Sequence, residues 1–247
     1  MHFNDQLLYT FMQHFYGYGN YQGDYWFIGM EERGGRAFEE VSERLAVWDR
    51  RGRQELEDVA SYHSELGITW PFMPKPKLQR TWDKLIQVLL CIEGKTPTKE
   101  DVRRYQQLHW ARRTSSVCLL ELLPLPSPSA NHWLYAQHSQ LPDLSSRDRY
   151  RKQWSALRTE RLRQRIARHQ PKAVIFYSFG YLAYWAAIVG APLQPILADT
   201  MYARHHNDCL YLVLKHPNTR GVTSEYFQEA GRYIRRVLIA NKNQGVL

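Results

Sequence analysis

Apolar residues along this chain fall into two kinds of run. Short continuous ones, Tyr25-Trp26-Phe27-Ile28-Gly29, Ser116 to Leu123, Ala173 to Gly180 and Leu210 to Lys215, are rich in β-branched or aromatic side chains and stop at glycine, proline or serine. They predict four buried strands. Between them, apolar positions recur at helical spacing. Leu7, Leu8, Phe11, Met12 and Phe15 mark a first helix that ends at Gly17-Tyr18-Gly19-Asn20, read as a breaker. Further helices are expected from Ala37 through Leu45, Thr81 to Cys91, Lys99 to His109, Arg147 to His169, Tyr181 to Val189 and Ser224 to Ile239. The basic helix from Arg147 shows a sparse apolar face of Leu157, Leu162 and Ile166, and its charges read as a solvated surface. Tyr226, Phe227, Tyr233 and Leu238 are the inward candidates of the last helix.

Strands that alternate with helices call for an α/β class. The expectation is a three-layer α/β/α sandwich with a four-stranded parallel central sheet, built by residues 1–247 as a single domain. Loops that follow the first, second and fourth strands then meet at one edge of the sheet, where ligands bind in such folds. Residues 50 to 80 are charged and then proline-rich, and Trp70-Pro71-Phe72-Met73-Pro74-Lys75-Pro76 is either a surface-hugging connection or a loop that faces substrate.

Composition narrows the class. Hydrophobic residues make up 44% and charged residues 23%, an ordinary globular balance that excludes an extended disordered region. Cys91, Cys118 and Cys209 lie far apart with no CxxC spacing, so reduced core thiols are expected and neither a metal centre nor a cofactor is called for. The N-terminal residues lack a charged-then-apolar leader pattern, and no run approaches the roughly 20 residues of a membrane span. A cytoplasmic monomer is expected, with no membrane partner. The net charge of +9 favours polyanionic partners, nucleic acid foremost.

The chemistry sits where strands stop. His216-Pro217 follows the fourth strand, because Pro217 cannot donate to a ladder and holds His216 extended. Glu121 lies inside an apolar strand, where a carboxylate is costly to bury unless paired or protonated, and Pro124-Leu125-Pro126-Ser127-Pro128-Ser129 follows it. Gly29-Met30-Glu31-Glu32-Arg33-Gly34-Gly35 joins the first strand to its helix, but contains neither GxxxxGK[ST] nor GxGxxG.

Three of these loops resemble motifs of the uracil-DNA glycosylase superfamily. Gly29-Met30-Glu31-Glu32-Arg33 stands where the family carries Gly-Met-Asn-Pro-Gly or Gly-Gln-Asp-Pro-Tyr-His. Glu121-Leu122-Leu123-Pro124 is similar to Asn-Leu-Val-Pro, and His216-Pro217-Asn218-Thr219-Arg220-Gly221 to the His-Pro-Ser-Pro-Arg-Asn of the single-strand-selective branch. The resemblance spans residues 25 to 235 and implies a parallel sheet between helices, and a DNA glycosylase of base excision repair that flips a damaged or deaminated base out of DNA. It implies Glu31 as water orienter or electrostatic stabiliser and His216 as donor to the departing base. Glu121, Phe38, Met30 and Asn218 become the base-binding set, with Phe38 as stacking platform, and Arg220, Thr219, Ser127 and Ser129 the DNA contacts. The chain departs from the family at Glu31 for Asp or Asn, at Glu32 for Pro, and at Glu121 for the strand Asn. An amide offers a pyrimidine edge both a donor and an acceptor, whereas an ionised carboxylate only accepts. Two alternatives follow: a nucleic-acid-binding module that has lost the reaction, and a hydrolase of free nucleosides or nucleotides. For the catalytic reading Glu31, Glu121 and His216 are expected around one pocket, titrating as a coupled group in which an imidazolium opposes the carboxylates.

Overall fold

The computed structural model describes residues 1–129 and 131–243. The four apolar runs form β2 (Tyr25–Glu31), β4 (Val117–Leu123), β5 (Ala173–Tyr177) and β8 (Cys209–Leu214). They pair in the order β4-β2-β5-β8, all parallel. From β2 the chain crosses to β4 on one side, then returns past β2 to β5 on the other, so successive connections run to opposite sides of the gap between β2 and β5. Helices pack on both faces. Trp26 meets His169 at the end of α7 (Arg147–His169), while its neighbour Phe27 meets Trp110, just beyond α5 (Lys99–Leu108). That alternation is the period of two expected of a strand buried on both sides.

The expectation of four strands is corrected by the structure, which has an eight-stranded mixed sheet ordered β3-β1-β4-β2-β5-β8-β7-β6. On one edge β1 (Gly17–Gly19) runs antiparallel to β4, with β3 (Leu56–Glu57) outside it. Gly17-Tyr18-Gly19, read as a breaker, is thus a strand. The glycines adopt φ of 141° and 102°, and a Cβ on either would lie 2.1 or 2.3 Å from a β4 carbonyl oxygen. The feature that ends the helix is what lets the backbone close onto β4. On the other edge β6 (Gln194–Ile196) and β7 (Met201–His206) add antiparallel strands, and β7 turns into β8 through Asn207-Asp208, both at positive φ. That is the left-handed pair a two-residue hairpin requires.

Around the sheet lie α1 (Asp5–His14), α2 (Phe38–Arg50), α3 (Val59–Glu65), α4 (Arg80–Ile92), a short α6 (Tyr135–His138), α8 (Leu182–Val189) and α9 (Ser224–Asn243). Helix α3, in the part of residues 50 to 80 for which the sequence reading names no element, is capped by Asp58, whose carboxylate accepts from the Ala60 and Ser61 N–H groups. On α9 Phe227, Ala230 and Ile234 face the core, while Tyr226, Tyr233 and Leu238 are only partly buried. Helix α7 differs most from expectation. Leu157 is 41% exposed, and the buried side chains include Tyr150, Trp154, Arg158, Leu162 and Ile166. The three cysteines are buried and unpaired. No helix among the described residues is long and apolar enough to cross a membrane.

Candidate functional site

The carboxyl ends of β2, β4, β5 and β8 open into a cavity of about 790 Å³ beside the point where the connections between parallel strands change side. Met30, Glu31, Glu121, His216 and Asn218 line it, with Ser127 and Ser129 at its side. The expected trio of Glu31, Glu121 and His216 therefore shares one cavity although its members are far apart in the chain. Thr219 and Arg220 are exposed and lie outside the lining, in a turn closed by the Thr219 N–H donating to the His216 carbonyl at 2.8 Å. Phe38 is displaced altogether. Its ring stacks on Phe3 at 4.7 Å and packs near His138, so it is a packing residue and does not serve the cavity as a platform.

Glu121 owes its position to its neighbour across the ladder. Gly29 pairs with it in the parallel register of β2 and β4. A Cβ on Gly29 would fall 2.4 Å from Glu121 Oε2 and 2.2 Å from the Tyr177 hydroxyl. The missing side chain makes room for both. Tyr177 donates its hydroxyl to Glu121 Oε1 at 3.0 Å, while the buried Oε2 has no partner. Burial pushes the Glu121 carboxyl well above the usual range, and Glu32 and Glu31 push in the same direction. Burial thus favours the protonated form of Glu121, which donates through one oxygen and accepts through the other, as an amide does.

Glu32, which sequence reasoning noted only as a missing proline, is the opposite case. Arg44 of α2 holds both its oxygens at 3.3 Å, and the Tyr18 hydroxyl of β1 donates to Oε2 at 2.9 Å. His63 of α3 donates Nδ1–H to the Val59 carbonyl at 2.8 Å and turns Nε2 toward Glu32 Oε1 at 3.7 Å. Although burial works against it, Arg44, His63 and Tyr18 hold the Glu32 carboxyl down at about 2. The cavity thus sets a carboxylate held low by its arginine clamp beside a carboxyl pushed up by burial.

Glu31 lies between these extremes. Its Oε1 is ion-paired with Arg147, the first residue of α7, and its buried Oε2 has no partner. Burial raises its pKa while Arg147 and Arg151 oppose the rise. Arg147 also donates to Ser127 Oγ at 3.0 Å and to the Ser129 carbonyl, which draws the loop after β4 against the loop after β2. A backbone bond from Ser127 N–H to the Glu32 carbonyl at 3.1 Å joins the same two loops. Ser127 and Ser129 thus organise the wall through Arg147, a residue the sequence offered only as part of a charged helix face.

His216 Nδ1 accepts the Asn218 backbone N–H at 3.1 Å. The neutral ring then carries its proton on Nε2, leaving that N–H as a donor. Burial alone lowers the His216 pKa, so the ring is neutral rather than the imidazolium expected to oppose the carboxylates. Coulombic coupling within the expected trio runs between Glu31 and Glu121. Just past β5 stands Ser178, a non-glycine residue at φ 110° that also lines the cavity. It is held there by its N–H on the Leu214 carbonyl at 2.8 Å and by Trp185 Nε1 on its own carbonyl at 2.9 Å.

The proline-rich stretch, left open between two roles, supplies a wall. Trp70, Pro71, Lys77 and Leu78 line the cavity. The stretch is pinned by the fully buried Gln106 of α5, which donates to the Pro71 and Lys77 carbonyls at 3.0 Å and accepts the Gln79 N–H at 2.9 Å. No family model matches this chain, and no curated protein matches it.

Proposed function

We propose that this cavity receives a nucleobase flipped out of DNA and that the chain hydrolyses the N-glycosidic bond of that base, damaged or deaminated, as a divergent member of the uracil-DNA glycosylase superfamily. The observation that carries the reading is the convergence of Glu31, Glu121 and His216 on one cavity at the carboxyl edge of the sheet. Its volume of about 790 Å³ lies within the roughly 300–1,000 Å³ of small-ligand sites. Cleavage builds positive charge on the sugar and negative charge on the departing base. A site must therefore hold an anion near the first and a donor near the second. Glu31, whose Oε1 pairs with Arg147, is the carboxylate that orients water, and the anion Glu32 lines the same cavity. The water oxygen bonds to the anomeric carbon as the carbon–nitrogen bond breaks, and the proton lost by water ends on the base. His216 Nε2–H steadies the departing base, and the neutral Glu121 meets a base edge that presents both a donor and an acceptor.

The test is base release from oligonucleotides carrying uracil, hypoxanthine, xanthine or an alkylated base. Release by the intact chain, reduced about 100-fold or more in Glu31→Ala and His216→Ala, is the expected outcome. No release from any substrate, single- or double-stranded, sinks the proposal. One observation favours a second reading, a binding module without the reaction: Glu31 commits an oxygen to Arg147 and keeps only one for water. Salt-sensitive nucleic-acid binding that survives both substitutions, with no product, would establish that reading instead.

A further inference from the structure

The cavity needs an aromatic surface against which an unpaired base can lie, and Phe38 does not provide it. Trp70 does stand at the cavity. It sits in a turn closed by the Phe72 N–H donating to the Thr69 carbonyl at 3.0 Å, lines the cavity, and is 43% exposed. Its indole thus leaves apolar surface in water at the cavity mouth, on a loop that is otherwise anchored. Anchoring is firm on both sides. Gln106 holds the Pro71 and Lys77 carbonyls, Pro71 and Pro76 are buried, and Phe72 packs between His63 and Trp82. Met73, 54% exposed, extends the same apolar lip. The charge around the lip is of one sign. Arg33, Lys77 and Arg80 are exposed and line the cavity, Lys75 is exposed on the loop itself, and the cavity's carboxyl groups lie deeper.

We infer that Trp70 is the stacking platform for an unpaired base and that the lip bearing it, with the cations around the cavity mouth, takes single-stranded nucleic acid. The inference rests on reading the cavity as a nucleobase site and adds the partner's form and the residue that holds the base. A rigid aromatic ring flanked by cations that meet phosphates is the arrangement by which proteins grip single strands without reading sequence. Because every base has a π-face, Trp70 contributes holding and Glu121 contributes choice.

Fluorescence anisotropy of a labelled oligothymidylate of about a dozen nucleotides, a length set by single-strand site sizes, measures this on the full chain. Trp70→Ala is expected to weaken binding about tenfold or more, and Trp70→Phe to restore most of it. The same strand carrying abasic positions has no base to stack, so on it Trp70→Ala and the intact chain are expected to bind alike. Replacing Lys77 and Arg80 with glutamine is expected to flatten the salt dependence by about 0.7 for each phosphate that is no longer neutralised. An undiminished affinity in Trp70→Ala, or equal losses on abasic and intact strands, overturns the platform. Equal or larger losses on duplex DNA overturn the single-strand assignment and make Trp70 a duplex wedge. The thermal unfolding midpoint of each variant and the abasic strand together separate a folding defect from weakened stacking. Base release is scored separately. Trp70-dependent binding without product leaves this inference standing and removes the reaction, whereas product with Trp70-independent binding does the reverse.

Discussion

Two arginines on α7, Arg147 and Arg158, lie about three turns apart on one face of the helix and are used in opposite ways. Arg158 is fully buried, and none of its hydrogen bonds among the described residues goes to a carboxylate. Its guanidinium donates to the Leu122, Phe15 and Glu121 carbonyls at 2.8–2.9 Å and to Met12 at 3.3 Å, and lies 3.8 Å over the Tyr16 ring. Arg165 covers the other face of that ring at 3.8 Å. Arg147 meets a carboxylate, a hydroxyl and one carbonyl, and its buried Nε has no partner. The contrast shows what distinguishes a structural cation from one at a site. Arg158 is surrounded by backbone acceptors and joins α7 to α1 and β4, while Arg147 is left incompletely satisfied where the cavity opens.

The comparison breaks first at Arg158. Arg158→Ala removes the donor of four carbonyls at once and is expected to cost about 3 kcal/mol or more of unfolding free energy, measured by urea denaturation. A loss as small as that of an exposed position would make Arg158 no anchor. Arg147→Ala comes next, at about 2 kcal/mol near neutral pH, and its effect depends on pH. Burial already raises the Glu31 pKa above 4.5 in the folded chain, and loss of Arg147 raises it further. A carboxyl with a raised folded pKa binds its proton more tightly in the native state, so its contribution is most favourable below about 4.5 and declines as pH rises. The stability gap between variant and intact chain is therefore expected to widen from pH 4 to 7. A carbon-13 titration of the Glu31 carboxyl should move upward in the variant, and a downward shift would refute the pairing. The smallest effect belongs to Leu157→Ser, at a position 41% exposed although it sits next to Arg158. It is expected to change stability by about 0.5 kcal/mol or less by the same denaturation measurement.

Leu157 and Arg158 also show how far a pattern of apolar positions can be trusted. Periodicity locates α7 correctly between Arg147 and His169 but assigns its inward face by hydrophobicity, and the position that goes inside is the charged one. An arginine surrounded by carbonyls from α1 and β4 carries no local mark of that burial, because its acceptors lie 36 to 146 residues away. The same limit governs the site. Glu121 stands out as a carboxylate in an apolar strand, and the parallel sheet follows from the alternation of strands and helices, but the strand order that brings it beside Gly29 is seen only in the structure. Glu32 did not stand out, since its clamp is assembled from Tyr18, Arg44 and His63 on three separate elements. A signal was available at the far edge, where Asn207-Asp208 before an apolar run is a hairpin turn.

By itself the sequence determined the four parallel strands, their separation by helices, and the delivery of Glu31, Glu121 and His216 to one edge, because burial on a strand is written in local hydrophobicity and strand ends in glycine and proline. Only the tertiary structure decided the protonation of those groups. It held the Glu32 carboxyl down through Arg44, pushed the Glu121 carboxyl up through burial beside Tyr177, and left the Nε2 of His216 as the ring's donor through the Asn218 N–H. It likewise put Phe38 in the packing against Phe3 and brought Trp70 to the cavity through Gln106. Charge state and orientation depend on what lies within a few ångströms in space, and in this chain those neighbours come from elements far apart in sequence.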